Sequence, residues 1–242
     1  LLPTYDVFDE NRYFEPASEW KVVPFKGKNL AITICEDIWN LGDNPLYTIC
    51  PMDKMMQQSP DILLNLSASP FDYTHDEDRK ATIKSNVVKY KKPLFYCNAI
   101  GSQTEIVFDG ASLVFDKDAN LCGALPMFES AMQIFECNED GTINAPILEP
   151  AASVPSKELN PATLVPALNI DQVYKALVLG VKDYFNKMGF KKAILGSSGG
   201  IDSAVTLAIA CEALGKENVY AILMPSPYST EHSVDDAVEL SK

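Results

Sequence analysis

Lys191-Lys-Ala-Ile-Leu-Gly-Ser-Ser-Gly-Gly-Ile-Asp-Ser203 runs from an apolar strand into a loop of small residues, and then into a helix that Ala204 continues. A strand that empties through glycines and serines into a helix is a cradle for phosphate oxygens. Gly196, Gly199 and Gly200 let backbone N–H groups close on an anion, and Ser197, Ser198 and Ser203 add hydroxyl donors. The helix opening at Ile201 points its positive end at the same spot. Asp202 is a carboxylate beside an anion site, which is where a divalent cation is expected. The loop has neither the Gly-Lys-Ser/Thr of the mononucleotide-binding loop nor the glycine spacing of a dinucleotide-binding turn.

Around this stretch the pattern is that of a parallel sheet. Asp171 is placed to cap a helix in which Val173, Leu177, Val181, Tyr184 and Phe185 share one face, ended by Gly189. After the loop a helix extends to about Leu214, and a strand follows from Val219 to Met224. The loop then sits at the carboxyl end of the first strand of a right-handed strand–helix–strand unit, where open parallel sheets bind ligands. Upstream, five prolines between Pro146 and Pro166 exclude a helix or a central strand, so 146–168 reads as a linker. It separates one region, 1–145, from another, 169–242. In the first region, apolar runs at 29–34, 61–66, 93–100, 112–115 and 132–135 read as buried strands. Residues 76–90 read as a crossover helix carrying Ala81, Ile83, Val87 and Val88. The fold class is α/β.

Composition narrows the function. With 33 acidic against 20 basic residues the formal charge is −13, which argues against a general nucleic-acid or anionic-membrane binder. There is no apolar run of membrane-spanning length and no signal-peptide pattern at the start, so a cytoplasmic protein is expected. The cysteines at 35, 50, 97, 122, 137 and 211 show no paired short spacing, so neither a zinc site nor a disulfide scaffold is expected, and most should be buried apolar fillers. The chain opens without methionine and closes in a helical pattern, as a piece of a longer protein would.

A second constellation lies in the first region. Ile32-Thr-Ile-Cys-Glu-Asp-Ile-Trp39 puts Cys35 directly after an apolar strand, a place where thiol nucleophiles are presented. Two more strands end in small polar clusters, Asn65-Leu-Ser-Ala-Ser-Pro70 and Asn98 to Glu105, and three such ends could line one pocket. No histidine stands in a recognisable Cys/His arrangement. His75, among Asp72, Asp76, Glu77 and Asp78, reads as a solvated loop residue. Glu36 and Asp37 read as supporting or capping acids.

Both constellations together resemble the glutamine-dependent NAD+ synthetases, in which a nitrilase-like glutaminase is fused to an ATP pyrophosphatase domain. The resemblance is carried by Leu2–Glu10, Ile34–Trp39, Asn65–Pro70, Gln103–Gly110, Gly196–Ser203 and Met224–Ser229, in that order. It implies an α-β-β-α sandwich lacking its first part, followed by the opening of a parallel, Rossmann-like domain. It also implies a cysteine–lysine–glutamate triad with Cys35 as nucleophile and both partners upstream of Leu1. Tyr5, Glu10, Ser69 and His75 match positions of the glutamine pocket, although the family usually has lysine or arginine where His75 stands. Gly196 to Ser203 match the ATP-phosphate loop, Asp202 the Mg2+ ligand and Met224 the adenine side. The implied reaction is adenylation of deamido-NAD+ and its amidation by ammonia from glutamine, in a homo-oligomer. A nucleotide-binding or assembly unit without complete catalysis, and another glutamine-dependent amide-forming ligase, are the alternatives.

Overall fold

The computed structural model describes residues 1–5, 7–42, 47–73, 75–144, 169–225 and 231–242, without the side chains of His75, Asp76 and Glu231. The chain divides into two compact units, Leu1–Ile100 with Phe108–Leu168, and Gly101–Val107 with Asn169–Lys242. The expected linker, 146–168, lies outside the described residues.

In the first unit β1 (Val23–Phe25) and β2 (Lys28–Ile34) form a hairpin turned by Lys26 and Gly27, both at positive φ. A short helix α1 (Pro51–Met56), β3 (Ile62–Ser67), the helix α2 (His75–Tyr90) and β4 (Leu94–Asn98) follow. β5 (Ile100–Gln103) and β6 (Ile106–Asp109) pair apart from the main sheet, while β7 (Leu113–Phe115) and β8 (Leu121–Ala124) complete it. The six-stranded order is β1-β2-β3-β4-β7-β8, with β2, β3 and β4 mutually parallel. The carboxyl ends of those three strands are therefore neighbours, which is what the expected pocket requires.

Alternation decides which side chains are inside. Ala31 and Thr33, Leu63, Asn65 and Ser67, and Leu94, Tyr96 and Asn98 are buried on one face, where Ile38, Met52, Met55, Ile83 and Val87 pack. The opposite face leaves Ile32, Ile34 and Leu66 exposed. The expectation that these strands are buried on both faces is thus corrected. Parallel strands are apolar throughout because two layers normally cover them, and among the described residues of this unit one face is covered.

The helix α2 is also corrected in detail. Its inner face carries Arg79, Ile83, Asn86, Val87 and Tyr90, a helical spacing, while Ala81 and Val88 point outward. Asn86 is accommodated because its Nδ2 donates to the carbonyls of Ile38 (2.8 Å) and Thr82 (2.9 Å). The run 132–135 is not a strand. Met132 and Ile134 are exposed there, and the next ladder is only β9 (Glu136–Cys137) with β10 (Ile143–Asn144). The cysteines differ from expectation as well: all six are free, but only Cys50 is buried.

The second unit contains α3 (Ile170–Met188), β11 (Ala193–Gly196), α4 (Ile201–Leu214), β12 (Val219–Ile222) and α5 (Glu231–Leu240). β11 and β12 pair in parallel, Ala193 with Val219 through Gly196 with Ile222. Asn169, not Asp171, is the N-cap of α3, and Asp171 instead pairs with Lys175 at 2.8 Å. Gly189 ends the helix at φ +73, as its lack of Cβ permits. Residues 101–107 lie along α3, where the Ser102 N–H donates to Asp183 Oδ2 at 2.9 Å. Among the described residues, no helix is long and apolar enough to cross a membrane.

Candidate functional site

Two sites emerge, one in each unit. In the first, β2 ends at Ile34 and the chain turns tightly through a 3-10 turn, Cys35–Ile38. Asp37 makes the turn possible by accepting the Ile34 N–H at 2.9 Å. Cys35 itself stands at φ +39. A left-handed L-residue costs about 1–2 kcal/mol, and it persists only where its surroundings hold it.

Those surroundings come from the row of polar side chains beneath. The register sets Thr33 opposite Asn65 and Asn65 opposite Tyr96, on the buried face. Asn65 Nδ2 donates to Thr33 Oγ1 (3.0 Å) and to the Cys35 carbonyl (3.4 Å), while its Oδ1 accepts from Ser67 Oγ (2.6 Å). Burial pushes the Cys35 thiol up; the Ser67 hydroxyl and the Ala68 N–H oppose this, and the Glu36 and Asp37 carboxylates add to it. Unaided, this sulfur is mostly a neutral thiol at pH 7, so a base outside the cluster is required for it to attack a carbonyl.

Tyr5 joins the Cys35 turn through Glu36, and Ser69 joins the end of β4 through Asn98. The Tyr5 hydroxyl donates to Glu36 Oε2 at 2.8 Å, and the Tyr47 hydroxyl donates to Oε1 at 2.7 Å. Glu36 is buried, and burial together with its carboxylate pushes the Tyr47 phenol up. The two acids of the turn divide the supporting and capping roles between them: Asp37 does the capping, and Glu36 anchors two phenols. Sequence reasoning could not find this, since Tyr5 and Tyr47 are distant in the chain. Ser69 is fixed by Asn98, whose Oδ1 accepts the Ser69 N–H at 2.9 Å. Asn98 Nδ2 donates in turn to Asp109 Oδ1 (2.9 Å), and Arg79 grips Asp109 with two bonds of 3.0 and 2.7 Å. Glu10 opens a 3-10 turn, Glu10–Arg12, and is half-buried; no bond joins its carboxylate to the Cys35 cluster among the described residues. His75 is not in a loop but is the first residue of α2, and its side chain lies outside the described residues.

In the second unit the Ser197 N–H extends the parallel ladder by donating to the Ile222 carbonyl at 2.9 Å. The loop then turns back through its own hydroxyls. Ser203 Oγ accepts the Ser198 N–H (3.2 Å) and donates to the Gly200 carbonyl (2.9 Å), and the Gly200 N–H donates to Ser198 Oγ (3.2 Å). Gly200 is the N-cap of α4 and has no side chain to offer, so the first-turn N–H groups at Ile201, Asp202 and Ser203 face the loop mouth. Asp202 is exposed, and its carboxylate has no partner among the described residues. Ser197 Oγ is buried without a partner, beside a cavity of about 110 Å³ lined also by Ser198, Met224, Pro225, Ser233 and Val234. Of the residues expected of a phosphate loop, Ser197 and Ser198 thus share this cavity with Met224. Among the described residues no group of three His, Cys, Asp or Glu side chains that could hold a metal ion is formed, so no ligand cluster gathers around Asp202.

Gly199 is indispensable to this geometry. It sits at φ +77, and a Cβ there would overlap the Ser233 carbonyl oxygen. Gly199→Ala is expected to cost about 1–2 kcal/mol in backbone strain alone, and the added methyl must also push Ser233 of α5 away. Thermal melting followed by circular dichroism checks this; an unchanged midpoint would refute it.

A serine-glycine loop on a parallel strand–helix–strand unit, in one chain with a cysteine at a mixed-sheet strand end, defines a two-site α/β protein. Residues 173–242 match the NAD synthase family model. Over all of its length the chain is 39% identical to the glutamine-dependent NAD(+) synthetase of a Synechocystis strain and 34% identical to that of Thermotoga maritima, covering 42% and 44% of those proteins. Among solved structures it resembles the glutamine-dependent NAD+ synthetase of Acinetobacter baumannii in complex with ADP, with 33% identity and a TM-score of 0.81 over 99% of this chain and 41% of that one. The chain is thus similar along its length to glutamine-dependent NAD+ synthetases, and it spans about two fifths of the length of the curated relatives it matches.

Proposed function

We propose that this chain carries the cysteine of the glutaminase site and the ATP-phosphate loop of a glutamine-dependent NAD+ synthetase. The observation that carries the reading is the co-occurrence of two built sites along a chain related to these enzymes throughout its length. In the first, Cys35 Sγ adds to the side-chain carbon of glutamine, ammonia departs, and water then releases glutamate from the thioester. The first unit is read as the later part of a nitrilase-like α-β-β-α sandwich. Its exposed face of Ile32, Ile34 and Leu66 supports this, since a second layer would cover it. The base and the stabilising cation that Cys35 needs are assigned to a glutamate and a lysine outside this chain. Tyr5, Glu10, Ser69 and His75 are assigned to the glutamine pocket.

In the second site, Gly196 to Ser203 would hold the phosphates of ATP through first-turn N–H groups and the hydroxyls of Ser197, Ser198 and Ser203, with Met224 beside the base. The buried, unbonded Ser197 Oγ is a donor awaiting such an acceptor. A nicotinate carboxylate oxygen of deamido-NAD+ attacks the α-phosphorus and pyrophosphate leaves; ammonia then attacks the acyl carbon and AMP leaves. A single exposed carboxylate beside a phosphate cradle is the donor set that suits Mg2+, and Asp202 would hold it. When bound, Mg2+ neutralises charge on the departing pyrophosphate. We divide the chain into a glutaminase portion, 1–145, a linker, 146–168, and a synthetase portion, 169–242. Free thiols suit a reducing compartment, and the cytoplasm is the proposed location. The whole protein is proposed to act as a homo-oligomer.

The test uses the full-length protein with ATP, Mg2+, deamido-NAD+ and glutamine. NAD+ and AMP are expected in equal amounts. AMP formed only with xanthylate or aspartate as acceptor would move the assignment to another amide-forming ligase.

A further inference from the structure

The polar groups beneath Cys35 form a device that the proposed chemistry has not used. The turn after β2 takes Cys35 out of the strand pattern, and its carbonyl and the Ser67 hydroxyl at the end of β3 both meet the Asn65 side chain, which sets the Ser67 hydroxyl beside the Cys35 thiol. Asn65 is fully buried and commits both ends of its amide. Its nitrogen is spent on Thr33 Oγ1 and the Cys35 carbonyl, and its oxygen on the Ser67 hydroxyl. The Thr33 hydroxyl donates onward to the Leu64 carbonyl at 2.9 Å, so the row cannot rotate freely. Ser67 has a single proton, and that proton points at Asn65 Oδ1 at 2.6 Å. Tyr96, directly opposite Asn65, contributes a buried hydroxyl without a partner, close to Ser67.

We propose that Ser67 is a positioning residue for Cys35: its hydroxyl proton rests on Asn65 Oδ1 while the sulfur is protonated and turns to the sulfur when the thiolate forms. Asn65 fixes the geometry of this exchange by gripping the Ser67 hydroxyl and the Cys35 carbonyl in one frame. The Tyr96 hydroxyl donates a hydrogen bond to the Ser67 oxygen as it turns; the thiol proton leaves the sulfur for the assigned base, or for solvent in its absence, and at Ser67 only hydrogen bonds change partners. The charged or titratable groups around the sulfur are Glu36 and Asp37 on its own turn, Tyr96 on β4, and the Arg79–Asp109 pair behind Tyr96. The two carboxylates of the turn disfavour a thiolate, and the Ser67 hydroxyl and the Ala68 N–H are the nearby donors that favour one.

The inference takes Cys35 as the nucleophile of the proposed reaction, but its test needs no turnover. The Cys35 alkylation rate with iodoacetamide is followed against pH by mass spectrometry of its peptide, with Cys50 on the same peptide resolved by fragmentation. Ser67→Ala is expected to move the Cys35 midpoint upward, slowing alkylation about tenfold at a fixed pH below both midpoints, from the worth of one hydrogen bond to a charged group. Ser67→Thr, which keeps the hydroxyl, restores the original profile. A merely structural serine would change stability and leave the midpoint in place, and an unchanged midpoint in a folded Ser67→Ala chain overturns the proposal. Should Ser67→Ala not fold, Ser67→Gly is read in the same way. Failure of glutamine-dependent synthesis in the full-length protein would leave this titration unaffected, so the two readings stand or fall separately.

Discussion

Cys35→Ala in the full-length protein is expected to abolish glutamine-dependent NAD+ formation, by about 10⁴-fold, while synthesis from added ammonium salt continues at close to its original rate. The asymmetry follows from where the sulfur sits. Cys35 belongs to the first unit, and the loop Gly196–Ser203 with Asp202 belongs to the second, so removing the thiol deletes the proposed source of ammonia and none of the groups assigned to adenylation. The substitution keeps a Cβ on the same left-handed backbone, which Asn65 holds through the carbonyl rather than through the side chain. Folding of the first unit is therefore expected to change little, and circular dichroism serves as the control. The measurement is NAD+ formed at saturating ATP and deamido-NAD+ with glutamine or with ammonium chloride. Loss of both activities would place Cys35 in the fold rather than in the chemistry. Retention of the glutamine-dependent rate would remove it from the reaction altogether.

Much of this architecture is legible in the residues, and the places where it is not share a cause. β2, β3, β4 and β7 lie where apolar runs put them, and the loop from Gly196 to Ser203 joins a strand to a helix as its glycines and serines demand. β1 and β8 have no such signal: one is Val-Pro-Phe at a sheet edge, and the other contains Gly123. Met132 and Ile134 pair with no strand among the described residues and are exposed, while Phe135 packs edge-on against Phe95. α1 has six residues, too few for a periodic pattern to show. Of the candidate site, Cys35 at a strand end and the serine-glycine loop Gly196–Ser203 are legible. Its supports are hidden, because Tyr5 and Tyr47 on Glu36, and Asn65 beneath Cys35, are brought there by register and turn geometry that spacing alone does not carry. The positive φ of Cys35 is likewise a tertiary effect, since nothing in a cysteine's own preferences favours it.

The largest loss of stability is expected from Arg79→Met. Arg79 and Asp109 are almost wholly buried, 1% and 0% exposed, and they meet in a two-bond grip of 3.0 and 2.7 Å. Methionine fills much of the same space but leaves the Asp109 carboxylate in the interior with the Asn98 amide as its remaining described donor. Breaking a buried pair by removing one partner costs about 3–5 kcal/mol, whereas replacing both by apolar groups is often neutral. Arg79→Met alone should therefore lower the urea midpoint sharply with an unchanged m-value, and Arg79→Met with Asp109→Leu should recover most of the loss. Activity separates the same pair differently. Asp109 holds Asn98, and Asn98 holds the Ser69 N–H, so the double variant is expected to regain stability while its glutamine KM stays raised. A double variant with both restored would mean that the ion pair serves only the core. One that is stable yet weak for glutamine means that a buried charge is kept in this fold to hold Ser69, at the far end of the hydrogen-bond chain, in place.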